Sequence, residues 1–193
     1  MELEILYISI YSYLLGSIPS GLILTKFFLN KDVRDMGSGN IGATNVLRSG
    51  KKILGAFTLI LDVLKAYVAV TITYKYSADY IYLSSLLCFL GHIYPFWLKF
   101  KGGKGVAVYL GVLFALSINY GIIFVATWCL VLYLSKYSSF SSIVSTGTVF
   151  LFSIYLNNSS ESVFFFIILV IIIYTHKDNI VRLKNKTENK ISL

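Results

Sequence analysis

The sequence is short of the residues from which disulfide-rich, metal-binding and soluble proteins are built. It has two cysteines and two histidines, and charged residues make up only 13% of its 193 positions. Cys88 and Cys129 both fall inside apolar runs, which favours small packing residues over a disulfide framework. His92 and His176 lack companion ligands at a usable spacing, so neither a metal site nor a cofactor is predicted.

Long apolar runs fill most of the chain. Hydrophobic residues make up 56% of it, which leaves too little polar surface to cover a soluble globule. Seven runs can be placed, at 3–29, 53–74, 80–98, 106–118, 120–134, 143–156 and 163–174. Several are shorter than the roughly 20 residues that cross a bilayer comfortably. The sequence therefore predicts an all-α integral membrane protein with seven transmembrane helices, several of them short, in one polytopic domain over 1–193.

The cations gather on one side of the predicted spans. The net charge of +8 could suggest a nucleic-acid partner, but the position of the charges matters more than their sum. With the N-terminus outside, 14 of the 17 cations fall in connections on one face, and Lys75 alone falls on the other. The positive-inside rule makes that face cytoplasmic. We therefore expect the N-terminus outside, the C-terminus in the cytoplasm, membrane lipid as a partner and no nucleic acid.

The longest cytoplasmic connection contains a glycine-rich block bounded by Arg34 and Arg48. Gly37, Gly39 and Gly42 allow positive φ and close backbone approach, so successive N–H groups can converge on a phosphate that the arginines neutralise. The alternative is a capped helix start, with Ser38 or Asn40 as the N-cap. The block alone leaves both interpretations open.

A second cytoplasmic connection, at 99–105, combines lysines with glycines directly before the fourth run. Gly102, Gly103 and Gly105 suggest a flexible approach to a helix N-terminus whose dipole favours anions, and Lys104 adds a positive charge. The Gly-x-x-x-x-Gly-Lys-Ser/Thr phosphate loop is absent, so nucleotide binding is not supported. A basic turn at the lipid headgroups is the alternative.

Two further polar groups lie on the same predicted face. His176 and Asn179 share a helix face if the last helix continues past Tyr174, although a histidine beside a membrane is more often a headgroup contact. Serines at 138–142 precede the sixth run, and their hydroxyls either bind a ligand or cap that helix.

One pair of charges falls inside an apolar run. Asp62 and Lys65 are one turn apart in the second run, where an unpaired charge would be costly. We expect them to pair with each other or with another polar group, and the sequence leaves open whether the pair is structural or functional. In the first run, Gly16, Ser17, Ser20 and Gly21 favour close helix packing, and Pro19 predicts a kink.

Three motifs together resemble a known family. They are Gly-Ser-Gly-Asn-Ile-Gly-Ala-Thr-Asn-Val-Leu-Arg at 37–48, Gly-His-Ile-Tyr-Pro-Phe at 91–96 leading into Phe-Lys-Gly-Gly-Lys-Gly-Val-Ala at 100–107, and His-Lys-Asp-Asn-Ile-x-Arg at 176–182. In this order on one membrane face, they resemble the bacterial acyl-phosphate:glycerol-3-phosphate acyltransferases, the PlsY family. The resemblance implies acyl transfer from acyl phosphate to the 1-hydroxyl of glycerol 3-phosphate in the bacterial cytoplasmic membrane, giving lysophosphatidic acid for phospholipid synthesis. An enzyme that supplies acyl phosphate is left open as a partner.

The resemblance also implies residue roles. Ser38 and Arg48 would act at the reaction centre, as hydrogen-bond partner and phosphate clamp, and His176 with Asn179 would complete the polar pocket. The residues implied to bind substrate are Asn40, Thr44 and Asn45 as lining, Lys104 with Gly102, Gly103 and Gly105 for glycerol 3-phosphate, and Ser139 and Ser142 for acyl phosphate. No carboxylate in the motifs is a compelling general base, which leaves the substrate phosphate as a candidate proton acceptor.

Two departures and two other function classes remain. Ala66 stands where the family commonly has another small residue, and the segment 136–142 is richer in serine than the family pattern, so the serine assignments depend most on the resemblance. A small-anion transporter or channel is the alternative, although polar midplane groups and repeated halves are not clear apart from Asp62 and Lys65. A noncatalytic lipid-binding scaffold is the third class.

The charge asymmetry makes a topological prediction. Cysteines introduced at Asn40 and Lys186, in a background without the native cysteines, should react with an impermeant thiol reagent only from the cytoplasmic side. One at Ser160 should react only from outside. Labelling of intact cells followed by labelling of inverted vesicles measures both, and external labelling at position 40 would contradict the topology.

Overall fold

The computed structural model describes residues 2–48, 50–157 and 159–191. Five residues lie outside the described ranges: Met1, Ser49, Asn158, Ser192 and Leu193. Both ends of the predicted 1–193 domain are among them. The chain forms two compact units, Met1–Leu116 and Ser117–Leu193. The expectation of one membrane domain stays a prediction.

Within the described residues, the regular secondary structure is entirely helical. The first unit contains α1 (Glu2–Ser17), α2 (Ser20–Leu29), α3 (Ala43–Leu47), α4 (Lys52–Tyr76), α5 (Ile81–Ile93) and α6 (Val106–Leu116), with 3-10 turns at Val33–Asp35, Ala78–Tyr80 and Phe96–Leu98. The second contains α7 (Ile118–Ser135), α8 (Ser138–Tyr155), α9 (Ser159–Thr175) and α10 (Lys177–Lys184).

Several of these helices meet the length and composition of membrane spans. Among the described residues, 5 stretches qualify, namely Glu2–Leu29, Lys52–Tyr76, Ala78–Leu98, Ile118–Ser135 and Ser138–Tyr155, and α9 with α10 makes a sixth if that pair, bent by 61°, is one span. The apolar helix α6 has 11 residues. At 1.5 Å per residue it is about 17 Å long, well short of a bilayer core of ~30 Å. The predicted all-helical membrane class is confirmed, while the count of seven and the orientation of the termini stay predictions.

The predicted kink at Pro19 is a complete break between α1 and α2. Proline has no N–H to continue the hydrogen-bond ladder, so carbonyls near the break need other partners. The Ser17 carbonyl accepts a hydrogen bond from Trp97 Nε1 at 2.7 Å, and the Ile18 carbonyl accepts one from Lys65 Nζ at 2.7 Å. The break therefore binds the first span to two distant parts of the chain.

Glycines allow α1 and α5 to touch backbone to backbone. A Cβ on Gly16 would lie 2.0 Å from the Cys88 carbonyl oxygen, and one on Gly91 would lie 2.3 Å from that of Tyr13. The buried hydroxyls of Ser12 and Ser84 share a hydrogen bond of 2.8 Å across the same interface. This confirms the close packing predicted for Gly16, and it is the usual way in which small residues join helices in lipid.

One side chain, Asn45, organises the segment between α2 and α4 (30–51, the first loop, described except for Ser49). Its Oδ1 accepts from the backbone N–H of Ser38 at 2.8 Å. Its Nδ2 donates to the carbonyls of Val33, Met36 and Asn40 at 2.9, 2.9 and 2.8 Å. Asn45 is only 2% exposed, so its amide anchors the loop from inside.

The glycines of the first loop follow from this anchor. Gly37 has φ 51° and Gly39 has φ 71°, as predicted, whereas Gly42 has an ordinary φ of −78°. A Cβ on Gly37 would lie 2.3 Å from Asn45 Oδ1. The N-cap of α3 is Gly42, and not Ser38 or Asn40 as in the alternative interpretation of the block. Asn40 Oδ1 instead accepts from the Gly42 N–H at 3.0 Å, as in an Asx turn.

The apolar side of the first loop packs on the neighbouring helices. The buried cluster consists of Leu22, Val33, Ile41, Val46 and Leu54, with Leu29 and Leu98 packed against it. Leu98 belongs to the 3-10 turn that precedes the segment 99–105. The first loop and the turn that leads into the segment 99–105 therefore pack on one hydrophobic cluster.

The Asn45 anchor can be tested by its removal. Asn45→Ala leaves one N–H and three carbonyls without this partner, and we expect a loss of about 2 kcal/mol of stability. The first loop should also be cut faster in limited proteolysis. Asn40→Ala, which removes one bond to Gly42, is the matched control. Equal cleavage of both variants and the unsubstituted protein would contradict the anchoring role.

Candidate active site

Ser38 and Arg48 lie on the exposed side of the first loop. Both side chains are exposed, and a Cβ on Gly37 would lie 3.6 Å from Arg48 Cδ, so the arginine stem passes beside the Gly37–Ser38 turn. Within the part of the chain that the structure describes, no protein hydrogen bond occupies the Ser38 hydroxyl or the Arg48 guanidinium. A hydroxyl and a guanidinium presented together are suited to bind an anion, because the guanidinium can bind phosphate with two parallel bonds.

Arg34, the other arginine of the block, is neutralised within the protein. Its Nε and terminal nitrogen donate to the two oxygens of Asp32 at 2.9 and 2.7 Å. The hydrogen bond from Arg34 holds the pKa of Asp32 well below its usual range, although burial opposes this shift. Of the two arginines predicted to neutralise a phosphate, Arg34 is therefore occupied and Arg48 remains.

Asn40, Thr44 and Asn45 differ in what they expose. Asn40 and Thr44 are half-buried, while the Asn45 side chain is directed into the first loop and its amide is fully used there. Asn45 was expected to line the site. Its amide is instead used inside the loop, where it holds the backbone N–H of Ser38.

The segment 101–105 (the glycine loop) is closely packed, which corrects the expectation of a flexible approach. The N–H groups of Gly102 and Gly103 donate to the carbonyls of Ile93 and His92 at 2.9 and 3.0 Å. These two amides are thus committed to the end of α5. The predicted anion site at this loop is left with Lys104, which is half-buried, and with the first amides of α6, which have no partner within the helix.

Each glycine of this loop has no space for a side chain. A Cβ would lie 2.1 Å from the His92 carbonyl at Gly102, 2.1 Å from His92 Nε2 at Gly103, and 2.3 Å from Phe89 at Gly105. Gly105 also has φ 86°. The glycines are therefore required by contact with the end of α5.

The charges predicted to pair inside the second span do so. Lys65 Nζ lies 2.8 Å from Asp62 Oδ1, and both side chains are buried. His92 Nδ1 lies 3.0 Å from the same ammonium. Sequence spacing does not reveal this contact, because Lys65 and His92 belong to different helices, α4 and α5.

In the second unit, Ser139, Asn179 and Arg182 converge on Glu188. The Ser139 hydroxyl donates to Glu188 Oε1 at 2.9 Å, Asn179 Nδ2 donates to the same oxygen at 2.6 Å, and Arg182 Nε donates to Oε2 at 2.7 Å. Burial raises the pKa of Glu188, but these hydrogen bonds outweigh it and the net pKa is lowered. Glu188 closes the polar cluster that begins at His176 in the sequence, but its position along the chain does not reveal these partners.

Ser142 lies within a helix, because α8 begins at Ser138 and not at 143 as predicted. Its hydroxyl donates to the Ser138 carbonyl at 2.9 Å and accepts from Trp128 Nε1 at 3.1 Å. Such bonds to the carbonyl four residues earlier allow serines in an apolar helix.

His176 stands at the bend between α9 and α10 and is buried. Its Nδ1 lies 2.8 Å from the Ile172 carbonyl, which can only accept, so Nδ1 carries the proton. In the neutral ring, the lone pair is then on Nε2. The shared face of His176 and Asn179 was conditional on a continuous helix, but α9 ends at Thr175 and His176 is the N-cap of α10.

The chain is similar to known enzymes over nearly its whole length. The sequence model of a family described as glycerol-3-phosphate acyltransferase matches residues 6–186. A glycerol-3-phosphate acyltransferase of Pelagibacter ubique is 52% identical over 99% of this chain and 100% of the relative. One of Brucella anthropi is 45% identical over 99% of this chain and 95% of the relative.

Solved structures of an integral membrane glycerol 3-phosphate acyltransferase, PlsY, match as well. Its glycerol 3-phosphate form has a TM-score of 0.91 at 36% identity and covers 97% of this chain and 96% of that one. Its lysophosphatidic acid form has a TM-score of 0.89 at 36% identity, covering 97% and 95%. The resemblance of the three motifs is confirmed, and the chain belongs to the glycerol-3-phosphate acyltransferase family, of which PlsY is an integral membrane member.

Proposed function

We propose that this enzyme transfers a fatty acyl group from acyl phosphate to the 1-hydroxyl of glycerol 3-phosphate. The hydroxyl oxygen attacks the acyl carbon, the bond from that carbon to the phosphate oxygen breaks, and inorganic phosphate leaves. The product is lysophosphatidic acid. The proton of the hydroxyl goes to the departing phosphate, so the step needs no other co-reactant.

The observation that carries the proposal is that Ser38 and Arg48 are both exposed beside Gly37, on a loop that Asn45 anchors from inside. An acyl phosphate is a mixed anhydride and already activated, so positioning and charge stabilisation supply most of the acceleration. Arg48 would clamp its phosphate, and Ser38 would hydrogen-bond at the reacting group. Both side chains are exposed, whereas Asn45 holds their loop in place.

Lys104 would bind the phosphate of glycerol 3-phosphate. Its loop is fixed to α5 through Gly102 and Gly103, and it precedes the positive N-terminal end of α6. Both substrates carry phosphate, and two cationic loops that share a hydrophobic cluster suit such a pair. Likeness to a protein solved in glycerol 3-phosphate and lysophosphatidic acid forms supports the same substrate and product.

The polar groups of the second unit have proposed roles too. His176 and Asn179 would contact substrate at the reaction centre, and Ser139 and Ser142 would bind acyl phosphate. Ser139 and Asn179 both donate hydrogen bonds to Glu188. To contact substrate, each must break that bond or share its donor between Glu188 and the substrate. We place the enzyme in the bacterial cytoplasmic membrane with its cationic face in the cytoplasm. Family membership favours this function over a small-anion transporter or a lipid-binding scaffold.

The donor is the first test. Purified enzyme in detergent should convert glycerol 3-phosphate and a long-chain acyl phosphate to lysophosphatidic acid and equimolar inorganic phosphate, both measured directly. Acyl-CoA and acyl-carrier protein should be inactive as donors, because the proposed step expels a phosphate that is bonded directly to the acyl carbon. Turnover with either of them, and none with acyl phosphate, would overturn the donor assignment.

Kinetics of variants separate the proposed roles. Lys104→Ala should raise KM for glycerol 3-phosphate and leave KM for acyl phosphate nearly unchanged. Ser38→Ala and Arg48→Ala should lower kcat by roughly a hundredfold, equivalent to about 2.7 kcal/mol lost from the transition state. Arg48→Lys should also be poor, because an ammonium lacks the two-pronged geometry.

Lys101→Ala is the matched control, because Lys101 is an exposed lysine of the same glycine loop. It should keep both constants close to those of the unsubstituted enzyme. A near-normal kcat for Ser38→Ala and Arg48→Ala in folded, monodisperse protein would remove the first loop from the reaction centre.

A further inference from the structure

A buried polar cluster lies directly beneath the glycine loop. It consists of Asp62 and Lys65 of α4, Ser20 of α2 and His92 at the end of α5, and each of them is at most 8% exposed. The Ser20 hydroxyl donates to Asp62 Oδ1 at 2.9 Å, the same oxygen that lies 2.8 Å from Lys65 Nζ. The proposed reaction assigns no role to any of these four residues.

The Lys65 ammonium fixes the state of His92. Its three hydrogens have three acceptors, which are Asp62 Oδ1 at 2.8 Å, the Ile18 carbonyl at 2.7 Å and His92 Nδ1 at 3.0 Å. An ammonium has no acceptor capacity, so Nδ1 must accept and carries no proton. The ring is therefore held as the tautomer with its proton on Nε2.

The Nε2 edge of this ring supports the glycine loop. A Cβ on Gly103 would lie 2.1 Å from Nε2, so the backbone of Gly103 rests on the imidazole. The Gly103 N–H also donates to the His92 carbonyl at 3.0 Å. Both the ring and the backbone of His92 thus set the position of the residue directly before Lys104.

The opposite side of the cluster is connected to the first loop. Ser20 is followed by Gly21, where a Cβ would lie 2.1 Å from the carbonyl oxygen of Ile41. Ile41 belongs to the hydrophobic cluster beneath Ser38 and Arg48. The charged cluster therefore lies between the supports of both cationic loops of the first unit.

Stability alone does not account for such a cluster. A buried ion pair usually adds little stability relative to apolar residues, because desolvation offsets the attraction. In a membrane span the cost of charged groups is higher still. The effect of the Asp62–Lys65 pair is to hold the His92 ring in one orientation against Gly103 of the glycine loop.

We propose that His92, held by the Asp62–Lys65 pair, is a positioning residue that sets the glycine loop for binding of the glycerol 3-phosphate phosphate. The inference depends on the proposed role of Lys104. His92 acts through the backbone of Gly103 and does not touch the substrate. Loss of its Nε2 edge should therefore weaken glycerol 3-phosphate binding and leave the donor constants unchanged.

His92→Asn is the informative variant. The Asn oxygen can take the place of Nδ1 as the acceptor for Lys65, but the far edge of the ring is absent. In isothermal titration of detergent-purified protein with glycerol 3-phosphate and no donor, Kd should rise about tenfold, as expected for a misplaced binding group. Ser84→Ala, which removes the buried hydrogen bond to Ser12 between α1 and α5, is the control and should leave Kd unchanged.

A double variant gives a readout that a purely structural role would not move. Gly103→Ala alone should also raise Kd, because its methyl group collides with the imidazole. In His92→Asn/Gly103→Ala the methyl group occupies the space that the ring has left. The double variant should then bind at least as tightly as either single variant, a non-additivity that independent sites would not show.

The outcomes separate the inference from the proposed function. A Kd for His92→Asn within about twofold of the unsubstituted protein, or losses that multiply in the double variant, would overturn the inference. If neither His92→Asn nor His92→Gln gives monodisperse protein while Ser84→Ala does, His92 is structural and the inference is also wrong. Failure of the unsubstituted enzyme to bind glycerol 3-phosphate would count instead against the proposed site. Inactivity of acyl phosphate as a donor would leave the binding results standing.

Discussion

The fold of the first unit depends on satisfying one buried ammonium. Lys65 could not remain charged inside a membrane span without partners, and its three acceptors come from three different elements: Asp62 of its own helix, the Ile18 carbonyl and His92. The carbonyl is accessible because Pro19 interrupts the first span. The proline break, the ion pair and the end of α5 are therefore parts of one arrangement, and the glycine loop rests on it.

Backbone donors in the two loops are largely used by the protein itself. Asn45 takes the N–H of Ser38, and the carbonyls of Ile93 and His92 take those of Gly102 and Gly103. A glycine-rich block is often interpreted as a nest of free amides for phosphate. Here the glycines mainly permit close contact, and the cations proposed to bind phosphate, Arg48 and Lys104, are side chains carried by a fixed backbone.

The second unit satisfies its polar groups with its own carboxylate. Glu188 accepts from Ser139, Asn179 and Arg182, and the Ile191 N–H donates to the Lys136 carbonyl at 2.9 Å, so residues after α10 are bound to the start of α8. An arginine with neutral donors around one carboxylate is also the kind of group that binds phosphate. Two of the side chains that the resemblance assigned to substrate, Ser139 and Asn179, are thus held in place by an internal anion.

The sequence by itself determined the membrane class, the close packing at Gly16, the pairing of Asp62 with Lys65 and the family, because these follow from composition, from the cost of unpaired charge and from ordered motifs. It did not determine the starts of α8 and α10, the pairing of Arg34 with Asp32, or the partners of Asn45, His92 and Glu188. These are contacts of single polar atoms, and no period or spacing in the chain records which donor meets which acceptor. His92 and Gly103 are in contact only because α5 ends beneath the glycine loop. The position of the glycine loop is therefore decided by the tertiary structure alone.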